Sequence, residues 1–297
     1  MRGLMMDYQL TVPAMLRRAD ALSGNVEIVS RSADGELRRY LYRDMIRRVR
    51  QLAGVLRHFG VQPGDRVATL AWNHSSHLEA YFAIPSIGAV LHTLNLRLHA
   101  DDLAYIVEHA RDRVLLVDAS LVPLLEQFRS RVSLEHVIVF DGGVDIPEGA
   151  DDYEACLASM NPDEFEYPDL DERAAAAMCY SSGTTGRPKG VVYSHRALAI
   201  LAMNWTAADT VGVRQRDVIL SVVPMFHING WGLPFTAVHV GAKLVLPGSC
   251  LAAVDLLDLI ARERVTLSAG VPTVWLNVLH TLAAQPGVYD VRSLRTL

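Results

Sequence analysis

One stretch of the chain concentrates groups that could grip a polyanion. Residues 180–190 read Tyr-Ser-Ser-Gly-Thr-Thr-Gly-Arg-Pro-Lys-Gly. The glycines Gly183, Gly186 and Gly190 let the backbone turn tightly and bring N–H groups close to an anion. Ser181, Ser182, Thr184 and Thr185 add hydroxyl donors, and Lys189 adds a mobile positive charge. Such a loop suits a polyphosphate. It is not a Walker A loop, which needs four residues between its glycines and Lys-Ser or Lys-Thr directly after the second. Here two residues separate Gly183 from Gly186, and Gly190 follows Lys189. The competing reading is an ordinary surface turn, the usual fate of Gly/Ser/Thr-rich loops.

A loop can hold an anion only if rigid elements present it. The loop follows an apolar run at 174–180 and precedes a second at 191–193, with a helix expected from about His195. Upstream, a helix is expected from Thr11 to about Leu22, with Thr11 as cap and Pro13 in its first turn. Strands at 26–30 and 37–42 follow, joined by a turn at Ala33-Asp34-Gly35. A helix starting at Asp44 places Met45, Val49, Leu52, Ala53 and Leu56 on one face, and Gly60 stands where a C-terminal glycine belongs. Short β-rich runs at 66–71, 89–94, 113–118 and 136–140 then alternate with helical stretches near 78–84, 101–110 and 122–131. Past the loop, strands are expected at 218–223, 243–246 and 266–269 and helices at 256–262 and 274–283. Strand–helix–strand alternation points to parallel sheet covered by helices. Residues 145–172 are rich in Asp, Glu, Pro and Gly and read as linker around a short helix at 153–159. A boundary there divides the chain into a first α/β lobe with linker, 1–170, and a second lobe carrying the phosphate loop, 171–297. Residues 293–297 read as the start of a further strand, so the second lobe is expected to be incomplete.

Bulk properties narrow the class. The chain has 297 residues, 51% hydrophobic and 21% charged, with a formal net charge of -5. This is a folded globular composition that favours neither nucleic acid nor acidic membranes as the main partner. Cys156, Cys179 and Cys250 are odd in number and far apart, which argues against a disulfide framework or zinc site and fits a reducing, cytoplasmic setting. No secretory signal or bilayer-spanning apolar run is visible. His74 and His77 are three apart, but no third ligand lies near them in sequence. The acidic residues between 151 and 172 fit no calcium loop. Seven arginines between 38 and 57 read as a solvated helix face.

Taken with its continuation Val191-Val192-Tyr193-Ser194-His195, the loop resembles the signature of the acyl- and aryl-adenylate-forming enzymes. A second match is Val223-Pro224-Met225-Phe226-His227-Ile228-Asn229-Gly230-Trp231-Gly232. Weaker ones lie at 63–68, 241–247 and 270–275, so the resemblance covers nearly the whole chain. Within the family the chain looks most similar to bacterial medium- and long-chain fatty acyl-CoA ligases. The implied fold is α/β: the N-terminal domain of the adenylate-forming, acyl-CoA synthetase-like fold, with mostly parallel sheets covered by helices, truncated before a small C-terminal domain.

The resemblance implies two reactions. A carboxylic acid and ATP give acyl-adenylate and pyrophosphate, and the thiol of coenzyme A then takes the acyl group. Ser181, Ser182, Gly183, Thr184, Thr185, Gly186 and Lys189 are assigned to the β- and γ-phosphates, Thr184 also to Mg²⁺, with Lys189, His227 and Thr184 as the catalytic set. His227 would stand beside the carboxylate and α-phosphate. Trp231 would line or gate the acyl channel, and Asn229 and Gly230 would shape the pocket. Amino-acid-selecting relatives place an Asp just after the aromatic residue of the second motif; His227 stands there, favouring an acid without an α-amine. Later family motifs, for adenylate, ribose and a second lysine, do not occur, so the polypeptide alone is expected to be inactive. The partners implied are a fatty or related carboxylic acid, ATP and coenzyme A; a homodimer and peripheral membrane contact stay open. The alternatives are another adenylate former, such as a luciferase-like oxygenase, or a short non-catalytic nucleotide- or acid-binding protein.

Overall fold

The computed structural model describes residues 3–32, 34–140, 146–181 and 186–297. Twelve strands form two sheets among these residues. In chain order the elements are α1 (Val12–Ser23), β1 (Glu27–Arg31), β2 (Leu37–Leu41), α2 (Tyr42–His58), β3 (Arg66–Leu70), α3 (Ser75–Ser86), β4 (Val90–Thr93), α4 (Ala100–Ala110), β5 (Asp112–Asp118), α5 (Val122–Glu126), β6 (His136–Phe140), β7 (Asp151–Asp152) and α6 (Tyr153–Ala158). There follow β8 (Ala175–Tyr180), β9 (Gly190–Ser194), α7 (His195–Asn204), β10 (Val218–Ser221), α8 (Leu233–Val240), β11 (Lys243–Leu246), α9 (Ala253–Glu263), β12 (Leu267–Ala269) and α10 (Pro272–Ala284).

The seven-stranded sheet has the order β7-β6-β5-β3-β4-β8-β9, parallel except for the antiparallel β8–β9 pair. The five-stranded sheet has the order β12-β10-β11-β1-β2, parallel except for β1–β2. This is the mostly parallel α/β architecture that the motifs implied. The partition at residue 170 is corrected by the pairing. The N-terminal β1 pairs with β11, Val29 opposite Val245, and β8 returns to the first sheet with Thr93 opposite Cys179. Each sheet therefore draws strands from both sides of the expected boundary. Periodicity locates strands but carries no information about which strand each will neighbour.

The main core lies between the sheets, around α1, α2, α3, α7 and α8, while α4 and α5 cover the outer face of one sheet and α9 and α10 that of the other. Met45, Val49, Leu52, Ala53 and Leu56 of α2 are all fully buried, as their spacing requires. Helix α3 is buried along its whole length and touches β1 of one sheet and β3, β4 and β8 of the other. The carboxylate it buries is therefore paired. Glu79 accepts from Arg48 Nε at 2.8 Å and from Tyr153 Oη at 2.6 Å. Arg48 also grips Glu154 with two bonds of 2.7 and 2.9 Å. The basic stretch is thus not a uniformly solvated face, because one of its arginines is spent inside. His77 donates from Nδ1 to the Trp72 carbonyl and accepts at Nε2 from Thr69 Oγ1, each at 2.9 Å. Burial, with His74 nearby, lowers its pKa to about 3, so the ring is neutral. No described helix is long and apolar enough to cross a membrane.

Candidate active site at the strand ends

Strand β8 delivers the phosphate-loop candidate. Ser181 follows its last residue, and the chain returns as β9 with Gly190 opposite Tyr180. Ser181 N donates to the Lys189 carbonyl at 3.0 Å, and Lys189 N donates to Ser181 Oγ at 3.3 Å, closing the neck of a hairpin. Gly190 packs closely there: a Cβ would lie 3.2 Å from the Tyr180 ring and 3.3 Å from Met178 Sδ, so those side chains would have to shift by a few tenths of an ångström. Gly186 has φ +149°, and the Lys189 side chain is exposed. The proposed phosphate ligands Ser182, Gly183, Thr184 and Thr185 lie outside the described residues.

An aromatic cluster that the sequence reading missed supports the hairpin. Tyr180 shares a 2.7 Å hydrogen bond with His109 Nδ1, and burial pushes its phenol up to about 12. Arg187 stacks over Tyr105, 5.0 Å from the ring centroid, and Tyr105 in turn neighbours His109. Beneath Tyr180, the buried His92 donates from Nδ1 to Asp112, 2.8 Å from Oδ2.

The second motif leaves the end of β10 and crosses to the seven-stranded sheet. Three side chains from that side hold its backbone. Asn73 donates to the Ser221 and Val223 carbonyls and accepts from Met225 N, each at 2.8 Å. The Tyr81 hydroxyl donates to the Met225 carbonyl, and Thr93 Oγ1 donates to the Phe226 carbonyl at 3.3 Å. Asn73 follows β3 and Thr93 ends β4. Strand β4 lies on one side of β3 and β5 on the other, so these residues stand at the carboxyl ends of strands beside a topological switch point, where open α/β sheets receive ligands. No motif in the sequence singled out Asn73, Tyr81 or Thr93. Their value lies in partners far along the chain.

His227 emerges exposed from this clamp, and Phe226 is buried as packing. The next residues take an uncommon path. Ile228, Asn229, Gly230, Trp231 and Gly232 have φ of 46, 48, 63, 55 and 70°, a continuous left-handed turn. For each non-glycine residue this conformation costs roughly 1–2 kcal/mol. The turn packs against β8, the strand that ends at Tyr180 and leads into Ser181. Asn229 and Gly230 are buried, with Asn229 Nδ2 3.5 Å from Thr93 Oγ1. Trp231 is half-buried and lines an apolar cavity of about 170 Å³ with Trp205, Leu233, Ala269 and Leu297.

The remaining histidine pair, His74 and His77, is used structurally. His74 Nδ1 accepts from His77 N, and its Nε2 lies 3.1 Å from Asp118 Oδ1. Burial alone would raise the Asp118 pKa; His74 and the Trp72 N–H outweigh it and lower the pKa. Among the described residues no group of three or more His, Cys, Asp or Glu could hold a metal ion.

Comparison with known proteins agrees with this architecture. A family model described as AMP-binding enzyme matches residues 16–297. The long-chain-fatty-acid–CoA ligase of Thermus thermophilus is 50% identical over 294 residues, covering 99% of this chain and 53% of that protein. The medium-chain-fatty-acid–CoA ligase of Ectopseudomonas oleovorans is 41% identical over 293 residues, 97% of this chain and 53% of that protein. Among solved structures, the anthranilate CoA ligase AuaEII in complex with anthranoyl-AMP superposes with a TM-score of 0.87 at 26% identity, covering 99% of this chain and 56% of that one. The chain spans about half the length of the curated relatives it matches. By its motifs, its two interleaved sheets and these matches, the chain belongs to the AMP-binding enzyme family.

Proposed function

We propose that the full-length protein activates a medium- or long-chain fatty acid with ATP and passes the acyl group to coenzyme A. The observation that carries this reading is that the His227 turn packs against β8, the strand that leads into the glycine–hydroxyl–lysine hairpin, with an apolar cavity lined by Trp231. A carboxylate is a poor acyl donor because oxide would have to leave. One carboxylate oxygen attacks the α-phosphorus and pyrophosphate departs with the bonding pair; the coenzyme A sulfur then attacks the acyl carbon of the mixed anhydride, gives up its proton, and AMP leaves with the C–O bonding pair.

In this reading Lys189, Ser181, Gly186 and residues 182–185 bind the β- and γ-phosphates and hold the departing negative charge. His227 stands beside the carboxylate and α-phosphate, and Asn229 and Gly230 form the wall next to it. The absence of a carboxylate side chain at position 227 suits an acid without an α-amine. The 50% identity to a long-chain-fatty-acid–CoA ligase supports a fatty acid. Among the described residues no group of His, Cys, Asp or Glu forms an all-protein cage for Mg²⁺, and the proposed ligand Thr184 lies outside them. Mg²⁺ would enter with the triphosphate, since it is commonly bound through one or two protein oxygens plus phosphates.

The test is an acid panel with ATP and coenzyme A on the full-length protein. Acid-dependent release of AMP and pyrophosphate, with acyl-CoA formed and medium or long straight chains preferred, is the expected result. The 297-residue polypeptide alone is expected to show no acid-dependent pyrophosphate exchange. Failure of the full-length protein to make any acyl-CoA would overturn the reading.

A further inference from the structure

The left-handed turn at 228–232 does not sustain itself. Ile228 and Trp231 are bulky residues at positive φ, and Ile228 is β-branched, so the surroundings must impose the conformation. One contact acts directly on Trp231. Trp205, just past α7, donates its indole Nε1–H to the Trp231 carbonyl at 2.9 Å. Trp205 is itself fixed at both backbone groups: its N–H donates to the Leu201 carbonyl at 3.0 Å, and its carbonyl accepts from Val213 N at 2.9 Å. The turn lies tight against this helix end. A Cβ on Gly232 would come within 2.6 Å of Leu201 Cδ2. Trp205 also lines the cavity that Trp231 faces.

We infer that Trp205 is a positioning residue for the acid pocket: its indole N–H latches the Trp231 carbonyl and so keeps the Trp231 ring where the apolar tail of the acid must pass. This rests on the proposed acyl-CoA ligase reading. Release of the carbonyl lets the strained turn relax, which swings the Trp231 ring and changes the wall of the cavity. The hairpin at 181–190 is untouched, because its supports are Tyr180, His109 and Tyr105.

The experiment uses the full-length protein and two changes at one position. Trp205→Phe removes the N–H and trims the ring; the benzothienyl analogue of tryptophan at 205 removes the N–H and keeps the shape. With a series of straight-chain acids, both raise the KM for the longer acids about tenfold, while kcat and the KM for ATP stay within about twofold. Amide hydrogen exchange across 228–234 speeds up in both. An unchanged acid KM in the benzothienyl protein overturns the latch, as does an equal loss of kcat with every acid, which marks a general structural role. Wild-type protein with no acid-dependent exchange sinks the functional reading itself, an outcome separate from a failed latch.

Discussion

The hairpin that follows β8 and the turn that packs against β8 are held in different ways. The neck of the hairpin at 181–190 closes on itself, Ser181 bonding across to Lys189 at a separation of eight residues, and of the described residues beyond the neck Arg187 rests on a distant ring, Tyr105. The segment at 223–232 is held from far away, by Asn73 at a separation of 152 residues from Met225, Tyr81 at 144 and Thr93 at 133. A locally closed hairpin can present an exposed charge without the fold depending on it. A remotely clamped segment ties the shape of the proposed acid pocket to the packing of both sheets. Substitution in the first should therefore cost chemistry alone, and substitution in the second both chemistry and stability.

The sharpest break between the two is expected at Lys189. Lys189→Ala in the full-length protein should lower acid-dependent pyrophosphate exchange by roughly 10²–10³-fold, the loss of one donor to developing charge, equivalent to about 2.7–4 kcal/mol. Its urea midpoint should match wild type, since the side chain is exposed. A matching loss of stability would erase the distinction. Asn73→Ala tests the other side. It strands two carbonyls and one N–H, buried groups that cost about 1–3 kcal/mol each when unsatisfied, with partial relaxation leaving a total of about 2–4 kcal/mol in urea denaturation. Exchange activity should fall in the same protein.

The smallest effect is a pH slope. His77 and His195 are kept neutral chiefly by burial, with pKa values of about 3 and about 4. In the unfolded chain an imidazole takes a proton near pH 6.5. The unfolded state thus binds more protons below that pH, and the stability present above it is lost as pH falls towards the folded values. Each histidine contributes up to about 1.4 kcal/mol per pH unit. Urea midpoints between pH 7 and 5 should fall less steeply in His195→Asn than in wild type; equal slopes would show that His195 does not report burial. His77 bonds the residue before Asn73, so acid should loosen the remote clamp while leaving the hairpin neck alone.

Much of this was legible in the residues. The strands and most helices are readable because burial on one side imposes a period. Helix α2 shows its buried face plainly through Met45, Val49, Leu52 and Leu56. Helix α3 has no such face, since it is buried on all sides and contains Pro85, and its extent was only partly visible. The hairpin was legible as a pattern because its glycines, hydroxyls and lysine sit in consecutive residues. The clamp was not, because Asn73, Tyr81 and Thr93 are ordinary residues until the fold brings Val223, Met225 and Phe226 to them. Nor was the left-handed turn: Gly230 and Gly232 hint at it, but Ile228 and Trp231 argue for the opposite backbone. The partition of the sheets failed for the same reason, as strand order is a property of long-range pairing.

That pairing governs how the chain can be born. Strand β1 leaves the ribosome early, yet one of its two neighbours, β11, is encoded some 200 residues later, about 10–40 s at ordinary rates of synthesis. Until then an apolar parallel edge waits without its mate, and β3 to β6 can assemble before β8 arrives to extend them. Nascent chains of this kind have reason to need chaperone cover, and no protease nick or engineered split near residue 170 could yield two halves that each close a sheet.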